Sequence, residues 1–239
     1  MRPNVYVRSQ RRYRMHRQRL PQWPFGAPMT TFRAVAWDID GTLIDSEPLH
    51  QRGLVAASAA LGVDLNDLDP EAFRGVHARD IWKALKPRFA PGAKFETWIA
   101  GIESYYVAHA AELEPNPGAI EAIRELAARG VAQACVSNSG RTIVDANIEA
   151  LGIGKIIAFS LSFDDVSSGK PDPEPFREAA RRLGAEPQAT VAVEDSGAGA
   201  RSARAAGLYV VGYAPNGDAF VGADRSIAHL AEVPALFGA

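Results

Sequence analysis

The chain has 239 residues, of which 47% are hydrophobic, and it carries a formal net charge of −2. This length suits one large domain, or a main domain with an insertion, and provides enough apolar side chains for a large core. No run of residues approaches the roughly 18 apolar positions of a membrane span, so no membrane partner is expected. The single cysteine, Cys135, excludes an internal disulfide framework and fits a reducing cytoplasm, where we expect the protein to act.

The first 28 residues differ in charge from the rest of the chain. They contain seven arginines and no acidic residue, which leaves 19 basic and 28 acidic residues beyond them. Such an arm could bind nucleic acid or a membrane, or act as an Arg-rich transit segment. Because it lacks hydrophobic periodicity, we expect residues 1–28 to be a disordered extension, with Met29 as an alternative start. The acidic remainder offers little to a polyanion, which argues against nucleic acid as a partner.

The first predicted element is a strand from Ala34 to Trp37, followed directly by Asp38 and Asp40. Alternation along an extended chain points residues i and i+2 to the same side, so the two carboxylates can converge on one substrate while Ile39 packs away from it. Two neighbouring carboxylates suit a divalent cation and acid/base chemistry. An isolated Asp-x-Asp is usually a solvated turn, so the interpretation depends on the rest of the chain.

Residues 46–113 are predicted to form an all-helical insertion. Helix-like stretches run from Leu49 to Leu61, from Glu71 to Leu85 and from Lys94 to Leu113. In the last of these, Trp98, Ile102 and Tyr105 are predicted to be a buried stripe. The position directly after the Asp-x-Asp loop indicates a lid over a substrate, although an ordinary helical subdomain is the alternative. Residues 114–118, with two prolines and a glycine, indicate the return hinge.

From Pro117 onward, strand-like and helix-like segments alternate. Strands are predicted at residues 131–136, 156–161, 190–193 and 208–213, with helices between them. The expected fold class is therefore α/β, with a Rossmann-like parallel-sheet core, helices on both faces and the inserted helical cap. The core would comprise residues 29–45 and 114–239, and the cap residues 46–113.

Three further polar clusters follow later strands, at the sheet edge where Asp38 is expected. Ser137 and Asn138 precede a helix and are predicted to hold phosphate oxygens at its N-terminus. Lys170 can supply a positive charge to a phosphoryl group. Glu194 and Asp195 are suited to completing the oxygen shell of Mg²⁺.

Together, these segments resemble the haloacid dehalogenase superfamily, in its phosphatase and phosphomutase branch with a helical cap. The resemblance covers roughly residues 32–215 and rests on Asp-x-Asp-Gly-Thr-Leu-x-Asp-Ser-Glu, Ser-Asn-Ser, Gly-Lys-Pro-Asp-Pro and Glu-Asp-Ser-x-x-Gly, in that order. It implies that Asp38 is the nucleophile that forms an aspartyl-phosphate and that Asp40 is the general acid/base. It also implies that Ser137 and Lys170 form the phosphate-binding pair. The implied Mg²⁺ ligands are Asp38, the Asp40 carbonyl and Asp195, with Glu194 assisting.

The acid at Asp40 favours phosphate esters, because the dehalogenases of the superfamily have no acid at this position. We therefore expect a monomeric, Mg²⁺-dependent phosphatase that acts on a small phosphorylated metabolite, a sugar phosphate or similar. The alternative is a mutase resembling β-phosphoglucomutase. His50 occupies the position of the cap histidine in that family. Arg79 lies one residue later than the family's arginine, and a shift of one residue on a helix turns a side chain by about 100°. A non-catalytic module with the same fold is a third possibility. Candidate substrate-binding residues of the cap are Glu47, His50, Arg74, His77, Arg79, Trp82 and Trp98.

Overall fold

A computed structural model of the chain describes residues 31–73, 76 and 78–238. The predicted basic extension and two cap candidates, Arg74 and His77, lie outside the described residues. Within the described ranges, no helix combines the length and the apolar character needed to cross a membrane.

The core is built on one six-stranded sheet in which every neighbouring pair of strands is parallel. The strand order is β3-β2-β1-β4-β5-β6, so β1 lies between β2 and β4, and the polar segments that follow these three strands share one edge. The predicted α/β fold is confirmed. The strands are β1 (Ala34–Trp37), β2 (Ala132–Val136), β3 (Phe159–Leu161), β4 (Thr190–Glu194), β5 (Tyr209–Tyr213) and β6 (Arg225–Ile227).

Helices cover both faces of this sheet. Val35 and Trp37 of β1 face a cluster that includes α4 and α5, whereas Ala36 faces α6 and α7. All four β1 side chains are fully buried, as expected for a central parallel strand, which is covered on both faces. The core helices are α4 (Ala119–Ala128), α5 (Arg141–Leu151), α6 (Glu174–Arg182) and α7 (Gly197–Ala205).

The insertion between β1 and α4, which we call the cap, contains α1 (Glu47–Ala60), α2 (Ala78–Leu85) and α3 (Phe95–His109). The predicted second helix, Glu71 to Leu85, is divided: Pro70–Phe73 form a 3₁₀ turn and α2 begins only at Ala78. Further 3₁₀ turns, Lys86–Arg88 and Ala110–Glu112, follow α2 and α3.

Aromatic side chains form the centre of the cap. The Trp82 ring lies 4.6 Å from that of Phe89 and 5.4 Å from that of Trp98, and the Trp98 indole N–H donates to Ser58 Oγ at 3.0 Å. Both tryptophans, which were candidates for substrate binding, are buried in this cluster. The buried face of α3 consists of Trp98, Ile102 and Tyr106, so the predicted third member, Tyr105, is wrong by one residue.

The two connections between cap and core run side by side. Ile44 forms an antiparallel bridge with Pro115, and the Asn116 side chain donates to the carbonyls of Gly41 (3.0 Å) and Thr42 (2.8 Å). The returning segment is therefore fastened to the turn that follows Asp40, and its role as a hinge stays a prediction.

Two strand predictions differ from the structure. The predicted strand 156–161 is limited to Phe159–Leu161, because Ile156 and Ile157 belong to a separate turn after α5, in which both backbone N–H groups donate to the Ile153 carbonyl. The short edge strand β6 was not predicted: two of its three residues, Arg225 and Ser226, are exposed and polar, so it has no apolar run.

In the loop after β3, Asp165 holds the backbone in place. Its carboxylate accepts from Ser162 N and Oγ, at 2.7 and 2.6 Å, and pairs with Arg141 at the start of α5. Burial raises the pKa of Asp165, but the Ser162 and Arg141 hydrogen bonds outweigh it and lower the pKa to about 2. A carboxylate with a folded pKa below its unfolded value of about 3.9 stabilises the fold above that pH and loses this contribution as the pH falls toward 2.

We predict that Asp165→Asn lowers the free energy of unfolding at pH 7 by about 1 kcal/mol and makes it less sensitive to acidification from pH 5 to pH 3. Urea unfolding at each pH measures both effects. Asp145→Asn, which removes a more exposed partner of the same Arg141, is the matched control and should keep the acid sensitivity of the wild type. Equal acid sensitivity in Asp165→Asn and the wild type would contradict the prediction.

Candidate active site

Lys170 connects two buried carboxylates at the C-terminal edge of the sheet. Its Nζ donates to Asp38 Oδ1 at 2.6 Å, to Glu194 Oε1 at 2.5 Å and to the Val136 carbonyl at 2.8 Å. These are all the donors that an ammonium group has. The Lys170 ammonium also lies 5.0 Å from the ring centre of Phe176, a fully buried residue of α6. The sequence predicted Lys170 at this edge, and the structure brings it into direct contact with Asp38.

The positive charge of Lys170 compensates the negative charge of the acidic groups in this cluster only in part. Burial, followed by the charge of Glu194, raises the pKa of Asp38 well above its ordinary value, and Lys170 opposes that rise only in part. The same two causes raise the pKa of Asp195 to about 6. For Lys170, burial lowers the pKa, but Asp38 and Glu194 outweigh it and raise the pKa overall. The cluster therefore contains three carboxyl groups and one ammonium group, and a further positive charge would stabilise the ionised carboxylates.

A divalent cation fits this cluster. Carboxylate oxygens of Asp38, Glu194 and Asp195 lie within 4.8 Å of one another, and oxygen ligands of this kind are those that Mg²⁺ and Ca²⁺ take. Asp38 Oδ2 is buried and has no hydrogen-bond partner in the described part of the chain. Both carboxylate oxygens of Glu194 have hydrogen-bond partners, because Oε1 accepts from Lys170 and Oε2 accepts from Ser196 N and Oγ. Asp38 and Asp195 are thus the more available ligands.

Two motif glycines allow this close approach. Gly41 has a φ of +85°, and a Cβ built on it would overlap the Asp195 carboxylate. A Cβ on Gly199, in the first turn of α7, would overlap the carboxylate of Glu194. Ser196 caps that helix by accepting from Gly199 N at 3.0 Å. The glycines of the first and last motifs are therefore required for the acids to sit against the backbone.

Asp40 lies in a separate polar pocket. Its Oδ1 accepts from Ser46 Oγ (2.8 Å) and Asn147 Nδ2 (3.0 Å) and lies 3.4 Å from His50 Nε2. Its Oδ2 accepts from Ser137 Oγ (2.8 Å) and Ser139 Oγ (2.9 Å). Burial raises the pKa of Asp40, but the hydrogen bonds from His50, Ser46 and Ser137 outweigh it and hold the pKa below its ordinary value.

The segment after β2 joins these two groups. Ser137 contacts Asp40, as described above, and its Oγ accepts from Ser139 N. The Asn138 side chain is used differently: its Oδ1 accepts from Lys170 N at 2.8 Å and its Nδ2 donates to the Lys170 carbonyl at 3.0 Å. Asn138, a predicted phosphate ligand, thus fastens the Lys170 loop to the Ser137 loop.

The three remaining cap candidates are placed differently. His50 of α1 contacts Asp40, and its ring lies 4.6 Å from that of Tyr106. The Arg79 guanidinium lies 4.8 Å from the centre of the Phe95 ring, against the aromatic centre of the cap. Glu47 begins α1, and its carboxylate makes no hydrogen bond or ion pair to any other residue that the structure describes.

Four residues of the Asp40 pocket were not predicted, namely Ser46, Ser139, Tyr106 and Asn147. One signal was available for Asn147: it continues the Ile143 and Leu151 stripe of α5, and an amide at such a position is buried and needs a partner.

Comparison with known proteins agrees with this geometry. Residues 32–207 match the family of haloacid dehalogenase-like hydrolases. Protein CbbY of Cereibacter sphaeroides is 31% identical over 220 residues, which cover 86% of this chain and 95% of that protein. Validoxylamine A 7'-phosphate phosphatase of Streptomyces hygroscopicus subsp. limoneus is 29% identical over 194 residues, 79% of this chain and 88% of that protein.

Among solved structures, a variant of CbbY from Rhodobacter sphaeroides in complex with xylulose-(1,5)bisphosphate superposes with a TM-score of 0.77 at 29% identity. The match covers 87% of this chain and 100% of that chain. The chain therefore belongs to the haloacid dehalogenase-like hydrolase family, as its four motifs predicted.

Proposed function

We propose that the protein is a Mg²⁺-dependent phosphatase that hydrolyses a small phosphorylated metabolite, such as a sugar phosphate, through an aspartyl-phosphate on Asp38. The observation that carries the proposal is the state of the Asp38 carboxylate: one oxygen is held by Lys170 and the other is buried among acids without a partner in the described chain. The phosphate compounds in the names of two relatives support a substrate of this class. The buried lone Cys135 agrees with action in the cytoplasm.

In the first step, a carboxylate oxygen of Asp38 attacks phosphorus while the ester P–O bond breaks, and Asp40 gives its proton to the departing oxygen. In the second step, water attacks the aspartyl-phosphate, Asp40 takes the proton from that water, and the Asp38 carboxylate leaves. Asp40 must carry a proton when the substrate is bound. A phosphate that engages the hydroxyls of Ser137 and Ser139 would favour this, since both the loss of these donors and the added negative charge raise the pKa of Asp40.

Charge neutralisation supplies the rest of the catalysis, because phosphoryl transfer depends on positioning and on offsetting negative charge. Lys170 holds Asp38 in place and brings a fixed positive charge to the sheet edge. Asp38, Asp195, Glu194 and the Asp40 carbonyl would hold Mg²⁺, which when bound offsets the charge of the anionic phosphate.

A sugar-phosphate mutase is the second candidate. The observation that favours it is the contact between His50 of the cap and Asp40. Arg79, the residue closest to the expected mutase arginine, instead lies against Phe95, so we rank the phosphatase first. Isomerisation that depends on glucose 1,6-bisphosphate, without release of phosphate, would reverse this order.

We predict Mg²⁺-dependent release of inorganic phosphate from at least one member of a panel of sugar and short-chain phosphate esters. EDTA should abolish the release, and Asp38→Asn should lose nearly all turnover with the fold retained, because an amide is too weak a nucleophile to form the acyl-phosphate. Asp145→Asn, an exposed change of the same chemistry on α5, is the control and should remain active. An Asp38→Asn variant as active as the wild type would reject covalent catalysis by Asp38.

We also predict that Mg²⁺ raises the melting temperature of the wild type, since a cation that binds only the folded state stabilises it. Asp195→Asn should lose most of this rise, because it removes one of the more available ligands. Asp218→Asn, which changes an exposed loop residue, should retain the rise. Differential scanning fluorimetry with and without Mg²⁺ gives the comparison; a full rise in Asp195→Asn would exclude that carboxylate as a ligand.

A further inference from the structure

The two oxygens of Asp40 have different kinds of partners. Oδ2 contacts only the hydroxyls of Ser137 and Ser139 among the described residues, whereas Oδ1 is held by Ser46, His50 and Asn147. Together these donors fill the roughly four acceptor sites of a carboxylate. At least one contact must therefore be given up before Asp40 can act on a substrate.

The serine contacts are the ones that a substrate can replace. A hydroxyl rotates about its C–O bond and can donate to a different acceptor without any movement of the backbone. Ser137 and Ser139 stand in the segment proposed to bind phosphate, and an anionic phosphate competes well for their protons. Substrate binding would thus free Oδ2 and leave Oδ1 in place.

We infer that Asn147 and Tyr106 are positioning residues that anchor Oδ1 of Asp40, so that Oδ2 is the oxygen that exchanges protons with the leaving group and with water. The inference rests on the proposed role of Asp40. The Asn147 amide donates to Oδ1 from α5, and the Tyr106 hydroxyl donates to Asn147 Oδ1 at 2.7 Å from α3. Both side chains are fully buried.

The Tyr106 hydroxyl supports the orientation of the Asn147 amide that the Asp40 carboxylate requires, because the carboxylate can only accept. With the Tyr106 hydroxyl as donor, the amide oxygen faces the tyrosine and the NH₂ group faces Asp40. The reversed amide would place its oxygen against the Asp40 carboxylate, which is repulsive. Burial and the charge of Asp40 raise the pKa of Tyr106, which agrees with a hydroxyl that stays protonated and remains the donor.

The anchor also joins the two parts of the protein. Asn147 belongs to the core, while Tyr106 and His50 belong to the cap and lie with their rings 4.6 Å apart. The orientation of the Asp40 carboxylate therefore depends on how α3 is seated on α5, and protonation of the leaving group depends on that contact as well.

The test compares kcat/KM for two esters, because kcat/KM reports the step that expels the alcohol. An alkyl phosphate needs a proton on its leaving oxygen, whereas the p-nitrophenolate of p-nitrophenyl phosphate leaves readily without one. We expect Asn147→Leu and Tyr106→Phe to lower kcat/KM about 10-fold or more for the best alkyl ester of the panel, within the range that general acid catalysis contributes. For p-nitrophenyl phosphate, the loss should be less than about 3-fold.

Two reference variants calibrate the result. Asp40→Asn should show the same dependence on the leaving group, and more strongly. Ser58→Ala breaks the buried hydrogen bond to Trp98 inside the cap. It should lower kcat/KM only slightly, and by the same factor for both substrates. Tyr106→Phe keeps the ring and its packing, so it gives the answer even if Asn147→Leu does not fold.

The outcomes separate the inference from the function on which it rests. Suppose that kcat/KM of Asp40→Asn depends on the leaving group. If Tyr106→Phe then lowers kcat/KM equally for both esters, or does not lower it at all, the inference is overturned. If Asp40→Asn shows no such dependence, or if the wild type releases phosphate from neither ester, the proposed function fails and the inference with it.

Discussion

The ion contact between Lys170, Asp38 and Glu194 is the interaction on which the site depends. Two carboxylates buried at the end of a parallel sheet repel each other, which favours protonation, and the fixed positive charge of Lys170 between them offsets part of that repulsion. The ammonium is in turn immobilised by the Val136 carbonyl and by Asn138, which fixes the backbone of Lys170. Loops after β1, β2, β3 and β4 are thereby joined at one point, and the order of the strands places them there.

The two aspartates of the first motif lie in opposite electrostatic environments. Asp38 lies in the under-compensated cluster of acids, where a bound cation would offset the excess negative charge. Asp40, two residues later, is surrounded by uncharged donors and by His50, and its environment favours the anion. The proposed roles therefore require both environments to change on binding: Mg²⁺ would lower the pKa of Asp38, and the phosphate would raise that of Asp40.

The sequence was sufficient for five of the six strands and for the residues at the edge of the sheet. Buried central strands such as β1 and β4 are short apolar runs, and the segments after them are rich in groups that serve chemistry. It was not sufficient for the Asp40 pocket. Tyr105 and Tyr106 are adjacent on a helix, and periodicity alone did not identify which of them faces the core; Asn147 lies in an apolar stripe where an amide has meaning only once its partners are known. Strand β6 was missed because an edge strand with polar side chains has no apolar run.

The paired connections between cap and core have a consequence for how such a protein can vary. Asp45 N donates to the Glu114 carbonyl, and Asn116 holds the turn after Asp40, so the chain leaves the core and returns to it at nearly the same place. Whatever lies between these two points adds no crossing to the sheet and breaks no strand. The cap is therefore a module in the topological sense: a longer, shorter or differently folded segment could replace it while the sheet and the residues around Asp38 keep their positions, and only the contacts of His50 and Tyr106 with the Asp40 pocket would have to be supplied anew.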